Sequence, residues 1–554
     1  MNRRNFLKNA GVGTATSISL GGLGTVLTSC NSSPDSNCSD SDEQTLFIGD
    51  NIAVANTQYG KIRGYISNGI YTFLGVPYGA DTSGKNRFMP PQAPEPWSDI
   101  RPAVFWGDTA PQNMDNRWPN RYGTFVDHWN FFDVTENCLM VNVWTPSITD
   151  DKKRPVLVWM HGGGFTSGSG IEQDGYHGES LSKYGDIVIC TLNHRLGPIG
   201  FTDLSGIDGE KYKHSGNVGV LDLVAALKWV NNNISNFGGD PGNVTIMGQS
   251  GGGAKVCNIT AMPAAKGLIH KVVPLSGNVT EAADQERSRK LGSYVLKEAG
   301  LKESEVDKLQ DIPWKEYLTI ANRASAKFAQ ENPPPTGARV GFSPVADGVN
   351  LPKGKFFSSQ FGGSDIPMML SSTFHEWNPN RDDASLEQIT LEEVEEKLQD
   401  RYGNKASSIV AAYAKDFPNV RPVELWAMIL SSRLGVMNTA KDKLTQSSPV
   451  YVAWYGWQPP LFDNRIRAFH CVDICFWFLN TDKMITHTGG GSRPRKLSYK
   501  MADALLAFMH TGNPNTTSLP DWPKFTEAEG ATMILNDHCE VQHHPDKNGL
   551  ESLA

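Results

Sequence analysis

Short apolar runs alternate with longer helical patterns along the chain after the first fifty residues. Residues 156–160 and 187–192 are almost entirely apolar, which is typical of strands buried on both faces of a parallel sheet. Residues 220–233 carry apolar side chains three positions apart, which predicts a helix that ends near Gly238. Strands that alternate with helices in this way predict an α/β fold with a large, mostly parallel sheet.

A glycine-rich turn lies where the next predicted strand, residues 244–247, meets a helix. Residues 248–252 read G-Q-S-G-G, which matches the G-x-S-x-G pattern of a nucleophile elbow. Such a turn holds Ser250 in a strained conformation at a helix N-terminus, where a developing negative charge is stabilised. The alternative is a tight turn whose serine merely caps the helix.

A second glycine run, residues 161–164, reads H-G-G-G and follows the first predicted strand. Consecutive glycines let backbone N–H groups approach a substrate oxygen with no Cβ in the way. We therefore predict that the N–H groups of Gly163, Gly164 and Gly251 form an oxyanion hole. A phosphate-binding loop is the competing interpretation, but the G-K-S/T completion of such a loop is missing.

Several ordered blocks of the sequence resemble the type B carboxylesterase family, the α/β-hydrolases that include para-nitrobenzyl esterases and cholinesterases. The likeness covers roughly residues 51–530 and is carried by residues 73–79, 87–88, 96–97, 136–143, 193–197, 217–222, 237–241 and 511–515. The resemblance implies a single α/β-hydrolase catalytic domain over residues 51–554. Its large, mostly parallel central sheet would be flanked by helices.

The resemblance also implies a catalytic triad in the chain order Ser, Glu, His. It places the acid at Glu376 and the base at His470, and His375 is the obvious decoy beside the acid. A serine hydroxyl is a poor nucleophile unless a base takes its proton, so Ser250 needs His470, and Glu376 would hold the imidazole. The alternatives are a solvated loop carboxylate at Glu376 and a core histidine at His470.

Five other positions match family residues whose roles are less direct. Ser276 and Asp473 resemble polar residues near the family's triad, which implies a supporting role behind it. Phe342 falls where relatives have an acyl-pocket wall, and an ordinary core phenylalanine is the other interpretation. Arg87 and Glu136 resemble a buried salt bridge that holds the fold, so we expect the loss of either to destabilise the protein.

The sequence departs from the family pattern in three places. Ala110 stands where relatives often have a cysteine that bridges to the one matching Cys138, so that disulfide cannot form. Gly251 replaces the usual alanine after the nucleophile, which keeps the N–H donor and is expected to make the elbow more flexible. Residues 113–134 form an aromatic insert that would either wall the substrate gorge or pack as a hydrophobic lid.

Residues 1–30 have the pattern of an export signal. Arg3 and Arg4 precede a mildly hydrophobic stretch rich in Gly, Ser and Thr, which resembles a twin-arginine signal. Residues 27–30 read L-T-S-C and resemble a lipobox, which predicts lipid attachment at Cys30, and residues 31–50 predict a flexible tether. We expect a periplasmic or cell-surface protein anchored by lipid. The alternative is a glycine-rich disordered N-terminus with an incidental cysteine.

Composition excludes several function classes. The 554 residues are 39% hydrophobic and 20% charged, which is an ordinary globular balance, and the formal net charge is −8. Because no basic block is longer than one arginine pair, we expect no nucleic-acid partner. No run of 18 or more apolar residues appears, so we expect no membrane-spanning helix. The eight cysteines are too sparse for a disulfide scaffold and lack zinc-site spacing, so we expect no metal.

These features together predict a serine carboxylic ester hydrolase that acts on a small-molecule ester and needs no cofactor. Contact with a membrane is expected only through a lipid on Cys30. One alternative is a catalytically silent binding protein, since the family includes adhesion proteins that keep the fold and lose the serine. The other is an amidase or lactonase that uses the same triad. The sequence leaves the natural ester and the oligomeric state open.

Overall fold

The computed structural model describes residues 44–113, 125–126, 130, 132–333, 341–357 and 363–553. The chain divides into two units, Met1–Gln44 and Thr45–Ala554, and the strands and helices below belong to the second. The twin-arginine segment and Cys30 lie outside the described residues, so their predicted roles stay predictions. Within the described part of the chain, no helix has the length and apolar character needed to cross a bilayer.

A twelve-stranded sheet forms the centre of the large unit, and a three-stranded sheet stands apart from it. In chain order the strands are β1 (Leu46–Phe47), β2 (Val54–Thr57), β3 (Gly60–Arg63), β4 (Tyr65–Ser67), β5 (Ile70–Pro77), β6 (Arg101–Pro102), β7 (Met140–Thr145), β8 (Arg154–Met160), β9 (Val188–Leu192), β10 (Gly239–Gln249), β11 (Lys271–Leu275), β12 (Met368–Leu370), β13 (Val450–Tyr455), β14 (Ala531–Leu535) and β15 (Glu540–His543).

The strand order of the large sheet is β1-β4-β5-β7-β9-β8-β10-β11-β12-β13-β14-β15. Neighbours from β9 to β14 in that order pair in parallel, and the pairs at both edges are antiparallel. The predicted α/β class with a mostly parallel central sheet is therefore confirmed. Strand β1 lies inside the predicted tether, because residues 46–47 pair with β4, so the sheet begins before residue 51.

Helices connect the parallel strands, as parallel pairing requires a crossover between neighbours. The α-helices of the described residues are α1 (Glu179–Gly185), α2 (Gly197–Phe201), α3 (Val218–Asn233), α4 (Gly251–Ala261), α5 (Gln285–Glu298), α6 (Trp314–Glu331), α7 (Leu391–Tyr402), α8 (Ala406–Asp416), α9 (Pro422–Ile429), α10 (Arg433–Lys443), α11 (Ile474–Trp477), α12 (Ile485–Thr488), α13 (Ser492–Thr511) and α14 (Lys547–Leu553).

Strand β8 shows why the centre of the sheet is apolar along its length. Val156 and Val158 belong to one hydrophobic core, Leu157 and Trp159 belong to a second, and all four side chains are fully buried. Since successive strand residues point to opposite faces, the sheet is covered on both sides. This arrangement confirms the strand predicted over residues 156–160.

Helix α3 confirms the predicted helix but not its single buried stripe. Val218, Leu223 and Val224 are all buried, although they lie on different faces of the helix. Asp222 is buried as well, and its carboxylate pairs with the buried guanidinium of Arg195 at 2.6 Å. The ion pair allows a charged position to face the interior, which apolar spacing alone does not reveal.

A buried ion pair between Arg87 and Glu136 ties three parts of the chain together. The Arg87 Nε and Nη2 atoms each donate to a Glu136 carboxylate oxygen at 2.6 Å, and both side chains are at most 5% exposed. The remaining Nη1 donates to the carbonyl oxygens of Leu309 at 2.9 Å and Ile312 at 2.6 Å. Every nitrogen of the guanidinium is thus paired, which is the condition for burying such a charge.

We expect Glu136→Gln to lower the free energy of unfolding by about 3–5 kcal/mol, because it leaves a buried arginine charge without its carboxylate. The measurement is urea denaturation followed by tryptophan fluorescence. Lys152→Met is the matched control, since Lys152 pairs with Asp186 at the surface and its side chain is 61% exposed. The control should change stability by less than about 1 kcal/mol. Equal stability of the two variants would contradict the role given to the Arg87 pair.

Candidate active site

Ser250 stands alone between strand β10, which ends at Gln249, and helix α4, which begins at Gly251. Its backbone has φ 58° and ψ −124°, a conformation that a non-glycine residue adopts only under strain. The backbone N–H of Ser250 donates to the Leu275 carbonyl oxygen at 2.8 Å, which fixes the turn against the neighbouring strand. The sharp turn presents the serine hydroxyl at the N-terminus of α4, as the elbow pattern predicts.

Glu376 and His470 follow neighbouring parallel strands, β12 and β13, and meet beyond their carboxyl ends. One carboxylate oxygen of Glu376 forms a short hydrogen bond with Nδ1 of His470. The other carboxylate oxygen accepts the Thr373 N–H at 3.0 Å, and the His470 N–H donates to the Glu376 carbonyl oxygen at 3.0 Å. Glu376 is only 2% exposed, so these hydrogen bonds to the protein, and not bonds to water, hold its carboxylate in place.

The environment of His470 favours the protonated imidazole. Burial lowers the pKa of His470, but the neighbouring Cys471 and Glu376 side chains outweigh that effect and hold it well above the ordinary value of 6.5. A carboxylate in contact with one ring nitrogen stabilises the imidazolium form. His470 is therefore a strong base, and it is neutral only above its raised pKa.

Two neighbours of His470 set the orientation of its ring. The indole of Trp377 stacks on the imidazole with ring centroids 4.3 Å apart, and Trp377 is 54% exposed. The side-chain amide nitrogen of Gln249 lies 3.3 Å from both ring nitrogens, and its oxygen accepts the Cys471 thiol at 3.1 Å.

Within the described residues Ser250 Oγ makes no hydrogen bond. Catalytic hydrogen bonds often tighten only when substrate is bound.

The predicted oxyanion loop lies against the start of helix α4. Gly163 and Gly164 have φ values of 78° and 63°, which favour glycine. The Gly163 carbonyl oxygen accepts the Ser167 N–H at 3.0 Å. Because C=O and N–H point in opposite directions across a trans peptide, this bond turns the Gly164 N–H away from Ser167. A Cβ on Gly251 would overlap the Gly164 backbone, so this arrangement of the loop requires glycine at position 251, and the greater flexibility of the elbow stays a prediction.

A cavity of about 510 Å³ opens over Ser250. Its lining includes Ser250, Gly163, His470 and Glu376, so the structure brings the predicted triad and one of the three predicted oxyanion donors to one cavity. Aromatic side chains make up much of its wall, and polar groups are interspersed among them: Trp159, Tyr176, Phe342, Trp377 and Phe469, with Gln112, Glu172, Gln173, Asn322 and Arg381. A mainly apolar cavity with a few polar groups suits an organic molecule of moderate size.

The two polar residues predicted to support the triad differ in their contacts. Asp473 is fully buried, and burial followed by the charge of Glu376 raises its pKa to about 7. Asp473 therefore interacts electrostatically with the triad. Ser276 is buried with φ 50°, and its hydroxyl has no hydrogen-bond partner among the described residues. The supporting role of Ser276 stays a prediction.

Phe342 and the decoy His375 differ in their relation to the cavity. Phe342 lines the cavity although it is 6% exposed, and its role as the wall of an acyl pocket stays a prediction. His375 lies outside the cavity lining, and its backbone N–H donates to the Ala468 carbonyl oxygen at 3.0 Å. Burial lowers the pKa of His375 to about 3, so its ring is neutral.

Sequence reasoning missed three residues at the site. Gln249 and Trp377 flank the predicted nucleophile and acid in sequence, but nothing in the local pattern indicates that both contact His470. Lys255 reads only as a helix-compatible residue, yet it is fully buried beneath the oxyanion loop. The described residues contain no group of three or more metal-ligating side chains.

The aromatic insert is described only in part. Phe125 and Phe132 are 54% and 37% exposed, and the Phe125 ring lies 6.0 Å from that of Phe462. Its remaining aromatic residues lie outside the described part of the chain: Trp118, Tyr122, Trp129 and Phe131. Cys138 is buried and free, in keeping with alanine at position 110.

Comparison with known proteins supports the resemblance to carboxylesterases over nearly the whole of the large unit. Residues 51–552 match the sequence model of the carboxylesterase family. Para-nitrobenzyl esterase of Bacillus subtilis (strain 168) is 32% identical over 516 residues, which cover 90% of this chain and 98% of that protein. Phenmedipham hydrolase of Pseudarthrobacter oxydans is 30% identical over 521 residues, which cover 90% of this chain and 99% of that protein.

Solved structures agree. An esterase from anaerobic Clostridium hathewayi that can hydrolyse aliphatic aromatic polyesters superposes with a TM-score of 0.78 at 34% identity, over 91% of this chain and 98% of that chain. A thermophilic para-nitrobenzyl esterase superposes with a TM-score of 0.75 at 30% identity, over 90% of this chain and 99% of the other. The chain therefore belongs to the carboxylesterase family, has the α/β-hydrolase fold and is a carboxylic ester hydrolase.

Proposed function

We propose that this esterase works through an acyl-enzyme on Ser250. The observation that carries the proposal is the meeting of Ser250, the Glu376–His470 pair and the glycine loop in one cavity. In the first step His470 takes the hydroxyl proton while Ser250 Oγ attacks the ester carbonyl carbon. For this the imidazole exchanges its contact with the Gln249 amide for one with the serine.

Each of the two charges that develop in this step is stabilised by groups of the site. The oxyanion is held by the N–H groups of Gly163, Gly164 and Gly251. The imidazolium is stabilised by Glu376, which keeps its negative charge throughout. When the tetrahedral intermediate collapses, His470 gives its proton to the alcohol, which leaves the acyl group on Ser250. Water then attacks the acyl-enzyme by the same route and releases the acid.

For the substrate we propose an ester of moderate size with an aromatic or bulky part. The volume of about 510 Å³ and the aromatic wall support this choice. The names of the relatives point the same way, since they concern para-nitrobenzyl esters, phenmedipham and aliphatic aromatic polyesters. A catalytically silent binding protein would have no need of a serine, carboxylate and imidazole in one cavity. Amide or lactone hydrolysis by the same triad is tested by matched substrates.

We also propose that the protein is exported by the twin-arginine route and anchored through lipid on Cys30. The support is the sequence alone: Arg3 and Arg4, the weakly hydrophobic stretch after them and the L-T-S-C motif. An enzyme anchored in this way would meet esters outside the cytoplasm, with residues 31–45 as the spacer.

Mixing the mature protein with para-nitrophenyl esters from acetate to decanoate should give a burst of nitrophenol followed by slower turnover. Ser250→Ala should abolish the burst and lower turnover by at least about 10⁴-fold, because no other group can form the acyl-enzyme. The chain-length optimum reports the size of the pocket, and a matched amide series separates esterase from amidase. A burst that survives in the variant would show that Ser250 is not the nucleophile.

The pH profile of kcat/KM should rise with pH through the pKa of His470, so that its acid limb lies above pH 6.5. The sign follows because the base works only when neutral and its pKa is raised. Glu376→Gln removes a negative charge beside the ring, so the limb should move to lower pH while kcat falls by about 10⁴-fold. Asp383→Asn is the control, since Asp383 is an exposed helix cap. A limb unmoved in Glu376→Gln would remove Glu376 from the triad.

Cys30→Ala should move the protein from the membrane fraction to the soluble exported fraction, because only the lipid holds it to the membrane. Replacing Arg3 and Arg4 by lysines should keep the precursor inside the cell. Cell fractionation with an activity assay measures both. Cys539→Ala is a control, because Cys539 is a buried thiol of the catalytic unit. Membrane association that persists in Cys30→Ala would rule out the anchor.

A further inference from the structure

A buried lysine lies directly behind the oxyanion loop. Lys255 is on helix α4, five positions after Ser250, and it is fully buried. Its ammonium group donates to the carbonyl oxygen of His161 at 2.9 Å and to that of Gly162 at 3.4 Å. Burying an amino group costs free energy unless hydrogen bonds compensate for the lost water. Here the hydrogen-bond partners are backbone carbonyl oxygens of the loop.

These hydrogen bonds fix the direction of the loop's N–H groups. In a trans peptide, the N–H of one residue points opposite to the C=O of the residue before it. Because the Gly162 carbonyl oxygen is held from behind by Lys255 and by Nδ1 of His161 at 3.0 Å, the Gly163 N–H points away from the lysine. Gly163 lines the cavity that contains Ser250, and its N–H is one of the proposed oxyanion donors.

Lys255 is an ionisable group next to the loop whose charge changes near neutral pH. Burial lowers the pKa of Lys255 to about 7, and the opposing charge is that of the buried Glu172. The rings of His161 and His194 lie 5.2 Å apart, and burial followed by the charge of Lys255 holds the pKa of His194 well below its usual value. His194 is therefore neutral, and Lys255 donates to the loop in either protonation state, since a neutral amine also carries N–H groups.

We propose that Lys255 is a positioning residue for the oxyanion hole, whose side-chain amino group holds the loop carbonyls from behind and so aims the loop N–H groups at the developing oxyanion. The inference rests on the proposed function, since it concerns the same acyl transfer. An oxyanion exists only in the transition state and the tetrahedral intermediate, so Lys255 acts mainly on those states. Its loss should therefore lower kcat and leave KM nearly unchanged.

The test compares Lys255→Met with Lys443→Met. Lys443 is also fully buried and donates to Asp365 at 3.2 Å, but it lies on helix α10 away from the cavity. For each variant we would measure the melting temperature, kcat and KM with a para-nitrophenyl ester, and the affinity for two ketones. A trifluoromethyl ketone forms an oxyanion with the serine, and the matching methyl ketone binds without doing so.

Lys255→Met should lower kcat and the trifluoromethyl ketone affinity by about 10–100-fold, somewhat less than the loss of a whole donor. KM should change by less than about twofold, because acylation and deacylation both form an oxyanion and slow together. The methyl ketone affinity should change as little, because it reports ground-state binding. Lys443→Met should lower the melting temperature alone. If Lys255→Met behaves like that control, Lys255 is a residue of stability and the inference is wrong.

Lys255→Gln is measured in the same way if Lys255→Met fails to fold, because glutamine is polar but its side chain is one bond too short to hold both loop carbonyls. It should lose trifluoromethyl ketone affinity with an unchanged KM, and failure of both variants to fold would overturn the inference. The proposed function is tested separately by the wild-type protein. A wild-type trifluoromethyl ketone adduct that is absent in Ser250→Ala supports Ser250 as nucleophile, whatever the lysine variants show.

Discussion

The close approach of bare backbone around Ser250 is the constraint on which the active site depends. A Cβ on Gly251 would overlap the oxyanion loop, and a Cβ on Gly252 would overlap the carbonyl oxygen of Met160 at the end of strand β8. Strands β8 and β10 pair in parallel, so their carboxyl ends deliver the loop and the nucleophile to the same place. The strained conformation of Ser250 persists because these packed segments leave no relaxed alternative. The remaining catalytic groups are added around this fixed turn.

Buried charge is divided across the site in the way that ester hydrolysis requires. The reaction creates an imidazolium and an oxyanion from neutral partners, and each needs an opposite charge nearby. On the histidine side, Glu376 contacts the ring directly and Asp473 lies within electrostatic reach. On the other side the oxyanion meets backbone N–H dipoles, and Lys255 holds their loop from behind. Such charges cost free energy to bury, and they are useful at this site because the protein interior screens them weakly.

Local pattern sufficed for the parts of the site that one segment builds. The elbow at Ser250 and the loop at Gly163 each follow from glycines placed after an apolar strand, and the alternating runs gave the α/β class. Glu376 and His470 lie 94 positions apart, and only the family resemblance located them. Lys255 and Gly162 are 93 positions apart and escaped notice, because a lysine in a helical pattern normally indicates a solvated face. Contacts made by folding distant segments together leave no periodic trace in the sequence.

We propose that Ser250, activated by the Glu376–His470 pair, is the nucleophile of this esterase. Labelling with a fluorophosphonate probe and mapping the adduct by mass spectrometry tests it most directly, because the probe bonds only to an activated serine. We expect one modified peptide, with the label on Ser250, and much slower labelling in His470→Ala. A label on another serine, or labelling of Ser250 at the same rate without His470, would contradict it.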